Sequence, residues 1–273
     1  MIRLAIRCRA ENAELALAQL IELAPTGIEE LHDGDIVEYA VYGPPGEVPS
    51  LPDLEVAVGD ELVEVRTTEV PDDWHERWKQ FHGAVLVSGD RGDIDLRPSW
   101  DQGAARRGAT AIVLDPGQAF GTGSHPTTRL CLRLLLGLEP DGEAVDLGCG
   151  SGVLAIAASK LGWNPVRGYD HDPLAVEAAA ANARENAVEL AVGRFDLRDQ
   201  PPPLAPTVLA NLMRPLLLEI AARVPAGHAM RNMILSGLLD EEADEVAAAF
   251  ARLGLRERER ISEGGWTGLL LSR

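Results

Sequence analysis

The chain has 273 residues, more than one small domain needs and suited to a catalytic domain of roughly 150 to 200 residues beside a smaller partner. It is 46% hydrophobic and 25% charged, with no apolar run near the roughly 18 residues of a membrane span, so a soluble protein rather than a helical membrane protein is expected. Its 43 acidic residues against 25 Lys and Arg give a net charge of −18, which opposes close approach to DNA or naked RNA and favours a basic partner.

The first residues, MIRLAIRCRAENAE, have neither the apolar core nor the small-residue cleavage site of an export signal, so a cytoplasmic protein is expected. Cys8, Cys131 and Cys149 are scattered singly; they form no disulfide framework and no metal-ligand spacing, and are expected as reduced thiols with no metal bound.

In chain order, residues 3–9 alternate as a strand does, and residues 11–23 place Leu15, Leu17, Leu20 and Ile21 largely on one helical face. Residues 27–31 and 36–42 flank an Asp-Gly hairpin signal, and residues 62–70 add another β-rich run. This order predicts a small α+β, ferredoxin-like domain over residues 1–70, whose second helix is crowded by the Pro- and Gly-dense segment 43–59. Residues 71–100 are read as a linker: a helix with Trp74, Trp78 and Phe81 on one face, then short strands from Gly83. Glycines at 83, 89 and 92 are candidate hinges, or they simply close a hairpin.

From about residue 101 a catalytic domain is expected. Strands at 144–147, 166–169, 192–195, 207–210 and 233–236 alternate with helices at 153–161, 173–186, 214–223 and 241–253. Repeated β-α units imply a parallel sheet covered on both faces. Residues 255–261 and 266–272 read as a closing antiparallel hairpin, which separates a Rossmann-like methyltransferase sheet from an ordinary dinucleotide-binding one.

The strongest motif runs from Ala144 to Gly152, a buried strand entering a glycine loop and then a helix. Here Gly148, Gly150 and Gly152 are spaced G-x-G-x-G, whereas a nicotinamide fingerprint needs a glycine where Val153 stands. That spacing points to S-adenosylmethionine. Asp170, 22 residues after Gly148, ends the second strand, where a carboxylate accepts hydrogen bonds from both ribose hydroxyls. Asp172, just before Pro173, is read as a helix cap. The segment 114–128 is a loop too rich in Gly, Pro and hydroxyls to be regular; its threonines either face a ligand or cap the helix from Arg129, and His125 is read as structural. Asn211, after the fourth strand, stands where a substrate amine would be held, or is a plain strand-end turn residue.

The segments DPGQAFGTGSHPTT, DLGCGSG, GYD and VLANLMRPL, in this order and spacing, resemble the ribosomal protein L11 methyltransferase (PrmA) family. PDDWHERWKQFH and RPSW resemble the family's linker, and the likeness runs from about Pro71 to Arg273. The resemblance implies a class I S-adenosylmethionine-dependent enzyme whose amino-terminal domain grips ribosomal protein L11 and whose catalytic domain methylates lysine side chains and the terminal α-amine. Carried over by position, Thr128, Gly148, Asp170 and Asn211 would bind the methyl donor, Phe120, Gly121 and Thr122 would line the site, and Asn211 would orient the incoming nitrogen. Ser124 and Leu212-Met213-Arg214 depart from the family pattern. A monomer is expected. Three rivals are another protein or a small amine as substrate, a nucleic-acid amino-methyltransferase, and a cofactor-binding regulator without turnover. The second would carry Asn-Pro-Pro-aromatic where this chain reads Asn211-Leu212-Met213-Arg214.

Overall fold

The computed structural model describes residues 2–9, 13, 29–43, 64–69, 83–101, 103–115 and 125–273. The helices expected over residues 11–23, apart from Ala13, and 71–82, and the loop 116–124, therefore lie outside the described residues. The chain divides into two units, Met1–Phe81 and His82–Arg273, with the short strands after Gly83 in the larger one.

In the first unit, β1 (Ile2–Arg9) lies between β3 (Ile36–Gly43) and β4 (Glu64–Glu69), and β2 (Glu29–Asp33) pairs the outer edge of β3. Every pairing is antiparallel. Asp33 pairs with Ile36 across the two-residue turn Gly34-Asp35, so the hairpin signal read from the sequence marks a real turn. Leu4, Ile6, Cys8, Val37 and Tyr39 are buried with the period of two along the strands, and the small Ala5 and Ala40, paired with each other, are buried on the opposite face.

The second unit opens with a three-stranded sheet of β5 (Val85–Gly89), β6 (Gly92–Pro98) and β7 (Thr110–Leu114). Gly89 pairs with Gly92 across a tight turn, so these glycines close a hairpin. Strand β7 was not expected from the sequence; it runs parallel to β6 and buries Ile112 and Leu114.

The main sheet has seven strands in the order β10-β9-β8-β11-β12-β14-β13. They are β8 (Ala144–Leu147), β9 (Val166–Asp170), β10 (Ala191–Arg194), β11 (Thr207–Asn211), β12 (Asn232–Leu239), β13 (Arg256–Glu263) and β14 (Trp266–Ser272). The first five are parallel, and β14 inserts antiparallel between β12 and β13, as the closing hairpin predicts. Helices α1 (Pro126–Leu136), α2 (Val153–Leu161), α3 (Pro173–Glu185), α4 (Arg214–Arg223) and α5 (Ala243–Ala251) connect or flank them.

The inner strands read as continuous apolar runs because both faces are buried. Leu209, Ile234 and Leu270 pack with Leu154, Ile156 and Leu132 on one face. Their chain neighbours Val208, Ala210, Met233, Leu235, Leu269 and Leu271 pack with Leu217, Ile220, Val246 and Phe250 on the other. Trp163 is buried and donates its indole N–H to Thr207 Oγ1 at 3.1 Å, which satisfies its polar atom inside the first of these cores. Among the described residues no helix is long and apolar enough to cross a membrane.

Candidate active site

Strand order decides where a ligand sits. From β8 the chain moves to β9 on one side, while β11 lies on the other, so β8 and β11 flank the point where the sheet reverses its winding. Open α/β sheets bind ligands just beyond the carboxyl ends of the strands at such a point. Leu147 pairs with Tyr169 on β9 and with Ala210 on β11. The next residue of each strand is Asp170, Gly148 or Asn211, so the three meet side by side at the mouth of this crevice.

Gly148 has φ of +69° and Gly150 has φ of +51°, backbone that a side chain disfavours. A Cβ on Gly148 would also overlap the Leu212 side chain, so that side chain forms one wall of the loop. The N–H groups of Gly148 and Cys149 both bond Tyr169 O, at 2.8 and 3.0 Å, and so dock the loop on the end of β9. Asp170 completes the arrangement: its Oδ2 accepts the Gly150 N–H and its Oδ1 the Asp172 N–H, both at 3.0 Å. His171 Nδ1 also lies 3.2 Å from Oδ1, so Oδ2 is the oxygen that retains a lone pair facing no other group. Asp172 caps α3 by accepting the Leu174 N–H at 2.9 Å, in the role expected of it.

Asn211 is the last residue of β11 rather than the first after it. Its side-chain N–H donates to Thr127 Oγ1 at 3.2 Å, and that hydroxyl lies 2.8 Å from His125 Nδ1. His125 caps α1 and rests edge-on against Trp266, with ring centroids 5.1 Å apart. The cap is thus the histidine and neither threonine, because α1 begins at Pro126 and takes Thr127 and Thr128 into its first turn. This Trp266–His125–Thr127 chain holds Asn211 through its N–H, leaving the amide oxygen as the free acceptor. Thr128 is fully buried and its hydroxyl has no hydrogen-bond partner among the described residues. Phe120, Gly121 and Thr122 lie outside the described residues.

Next to the crevice, the Leu212 N–H bonds Ser236 O at 3.0 Å where β12 shifts register against β14. Gly237, with φ of +82°, lets the Leu212 backbone pass where a Cβ would stand 2.6 Å from its carbonyl oxygen. Met213 is exposed, and Arg214 is turned away to Glu242 (3.2 Å) and Glu245 (2.7 Å). Two carboxylates against one guanidinium leave this rim negative, and their hydrogen bonds hold the Arg214 pKa above its ordinary value.

Asp146, on β8 beneath the loop, is buried with Oδ2 accepting the Ala155 N–H at 3.2 Å and Oδ1 unpartnered. Burial pushes its pKa up to about 7; the Ala155 bond opposes this and the Asp170 charge adds to it. Cys131 and Cys149 are free, buried thiols, pushed well up by burial and the nearby carboxylates. Among the described residues no group of three or more His, Cys, Asp and Glu side chains gathers to hold a metal.

A family model described as Ribosomal protein L11 methyltransferase (PrmA) matches residues 51–273. The chain belongs to this family. The match begins upstream of Pro71, where the resemblance read from the motifs starts. A Chloroflexus aurantiacus protein named ribosomal protein L11 methyltransferase is 37% identical over 234 residues, covering 76% of this chain and 70% of that one. A protein of the same name from Burkholderia ambifaria is 36% identical over 284 residues, covering 91% and 90% of the two chains. The crystal structure of a ribosomal protein L11 methylase from Lactobacillus delbrueckii subsp. bulgaricus superposes with a TM-score of 0.59 at 27% identity, covering 69% of this chain and 97% of that one. The parallel sheet with its antiparallel β14 is the class I methyltransferase fold of these relatives.

Sequence reading missed the residues that hold the site from behind. Leu212, Gly237, Asn182 and Asn186 bond or pack against backbone far away in the chain, and Thr127 bonds the side chain of Asn211. Only the two asparagines left a signal, four apart on a helix whose buried face is otherwise alanine.

Proposed function

We propose that the protein is an S-adenosylmethionine-dependent N-methyltransferase acting on lysine side chains and the terminal α-amine of ribosomal protein L11. The observation that carries this reading is the meeting of Asp170, the Gly148 loop and Asn211 across three adjacent strand ends. The donor's chemistry fits them. Asp170 Oδ2 has a lone pair left for a ribose hydroxyl, the glycine loop admits close backbone approach, and Thr128, the chain neighbour of Asn211's partner Thr127, keeps a buried hydroxyl with no hydrogen-bond partner among the described residues. Phe120, Gly121 and Thr122 are assigned to its lining from their sequence position.

When bound, S-adenosylmethionine would supply an electrophilic methyl group on a sulfonium: the N–C bond to a neutral amine would form as the C–S bond breaks, leaving neutral S-adenosylhomocysteine, and the methylated nitrogen would pass its extra proton to solvent. The protein's task is alignment and exclusion of water, which accounts for most of the barrier such sites remove. The Asn211 amide oxygen, fixed by Thr127, accepts an N–H of the incoming amine and points its lone pair at the donor. A lysine amine has a pKa of about 10.4 and an α-amine about 7.7 to 8.0, so desolvation assists deprotonation and turnover rises with pH.

The first unit is assigned as a ferredoxin-like docking domain over residues 1–70, joined through residues 71–100 to a methyltransferase domain at 101–273, with β5 and β6 of that connecting stretch belonging to the larger compact unit. Its β2-β3-β1-β4 antiparallel order supports that topology, and a small-molecule substrate would need no such module. The net charge of −18 and the carboxylates beside Arg214 suit a lysine-rich protein rather than a nucleic acid. A cytoplasmic monomer completes the reading. Transfer of isotopically labelled methyl to free L11, to ribosomes and to free lysine tests it. Label on L11 alone supports the proposal, and label on free lysine at a similar rate contradicts it.

A further inference from the structure

Strand β7 pairs with β6 along one edge, and helix α3 lies along the other. Val113 donates its N–H to Asn186 Oδ1 at 2.9 Å, and Asn186 Nδ2 donates back to Val113 O. Asp115 donates its N–H to Asn182 Oδ1 at 2.9 Å, and Asn182 Nδ2 donates to Asp115 O at 3.3 Å. A side-chain amide carries the same donor and acceptor as a peptide unit. Four residues along a helix advance about 6 Å, and two along a strand about 6.6 Å. Asn182 and Asn186 therefore present the rhythm of a neighbouring strand, and both are buried.

The two differ in one respect. Asn182 Nδ2 also donates to Ser151 O at 2.9 Å, inside the glycine loop, whereas Asn186 Nδ2 donates to Asn182 O within its own helix. The same face of α3 presses on that loop, since a Cβ on Gly152 would lie 3.0 Å from the Ala179 Cβ.

We propose that Asn182 is a positioning residue for methyl transfer, a single amide that fixes the donor's glycine loop at Ser151 to the end of β7 at Asp115. Asn186 anchors β7 to α3 without reaching the loop. This rests on the reading of the Gly148 loop as the donor site. Asn182 touches neither reactant; it acts through the backbone it holds.

The test is calorimetric binding of S-adenosylhomocysteine to wild type, Asn182→Ala, Asn186→Ala and Asp170→Ala, with urea unfolding of each. Both asparagine variants lose stability. Asn182→Ala weakens binding about tenfold or more, as expected for losing a buried hydrogen bond that shapes the site, and raises the KM for the donor more than it lowers kcat. Asn186→Ala binds within about twofold of wild type, below the effect of one such bond. Equal affinity losses in the two asparagine variants overturn the proposal, because a merely structural role predicts them. If Asp170→Ala loses affinity while Asn182→Ala binds as wild type does, the latch is wrong and the site stands; if both bind as wild type does, both are wrong. Should Asn182→Ala not fold, hydrogen exchange in the wild type decides. Ligand that slows exchange at residues 148–152 and 112–115 together supports the latch, and slowing at 148–152 alone refutes it.

Discussion

Replacing Gly237 with alanine probes how the sheet sets the site wall. Two costs are separable. A non-glycine residue at φ of +82° costs about 1 to 2 kcal/mol in backbone strain alone. The added Cβ would lie 2.6 Å from Leu212 O, 2.8 Å from its carbonyl carbon and 3.0 Å from its nitrogen, all backbone that no rotamer change can move. Relief requires Leu212 to shift by several tenths of an ångström, which strains its bond to Ser236 O and withdraws its side chain from Gly148. We expect a total cost of about 2 to 4 kcal/mol and a weaker, slower enzyme. Gly227→Ala is the control, since φ there is +76° but no atom lies within 4 Å of the added Cβ. It should cost only the strain and leave ligand affinity unchanged. Urea unfolding of both variants, with calorimetric titration of S-adenosylhomocysteine, separates the two costs. Equal destabilisation by the two alanines, with equal ligand affinity, would refute the claim that Gly237 sets the position of Leu212.

Asp170→Asn should weaken S-adenosylhomocysteine binding by about 10- to 100-fold, the loss expected for charge-assisted hydrogen bonds of about 1.5 to 3 kcal/mol; calorimetry showing less than a twofold change would remove Asp170 from the site. Asp146 keeps its proton up to about pH 7 in the folded chain and loses it near 3.8 when unfolded, so its stabilisation is complete below about pH 4 and disappears as pH rises through 7. The change is about 4 kcal/mol by linkage; Asp146→Asn should flatten this part of the unfolding profile between pH 4 and 8, and parallel profiles for variant and wild type would contradict it. Trp163→Phe strands the buried Thr207 hydroxyl and should cost about 1 to 3 kcal/mol in urea unfolding, whereas adding Thr207→Val should recover part of that loss.

Sequence alone reached furthest where one βαβ unit dictates local form. The G-x-G-x-G loop and Asp170 were legible because a tight turn at the end of β8 and a carboxylate at the end of β9 are short-range demands. The inner parallel strands β8, β11 and β12 were legible because burial on both faces turns them into apolar runs. Strand β7 was passed over because its partners, β6 and the asparagines of α3, lie elsewhere in the chain, and five residues carry too little pattern. Of the two roles left open for the threonines, capping α1 falls to His125 instead: histidine is an uncommon N-cap, and its ring is held here by Trp266 from the closing hairpin. Gly237 and Leu212 share this character, as each meets backbone from a distant segment and leaves no periodic trace.

Intact mass of ribosomal protein L11, before and after incubation with the protein and S-adenosylmethionine, tests the central claim most directly. The account predicts mass gains in multiples of one methyl group with wild type, and none with Asp170→Ala at the same concentration. L11 left unchanged by a wild-type protein that binds S-adenosylhomocysteine would contradict the assignment of its substrate.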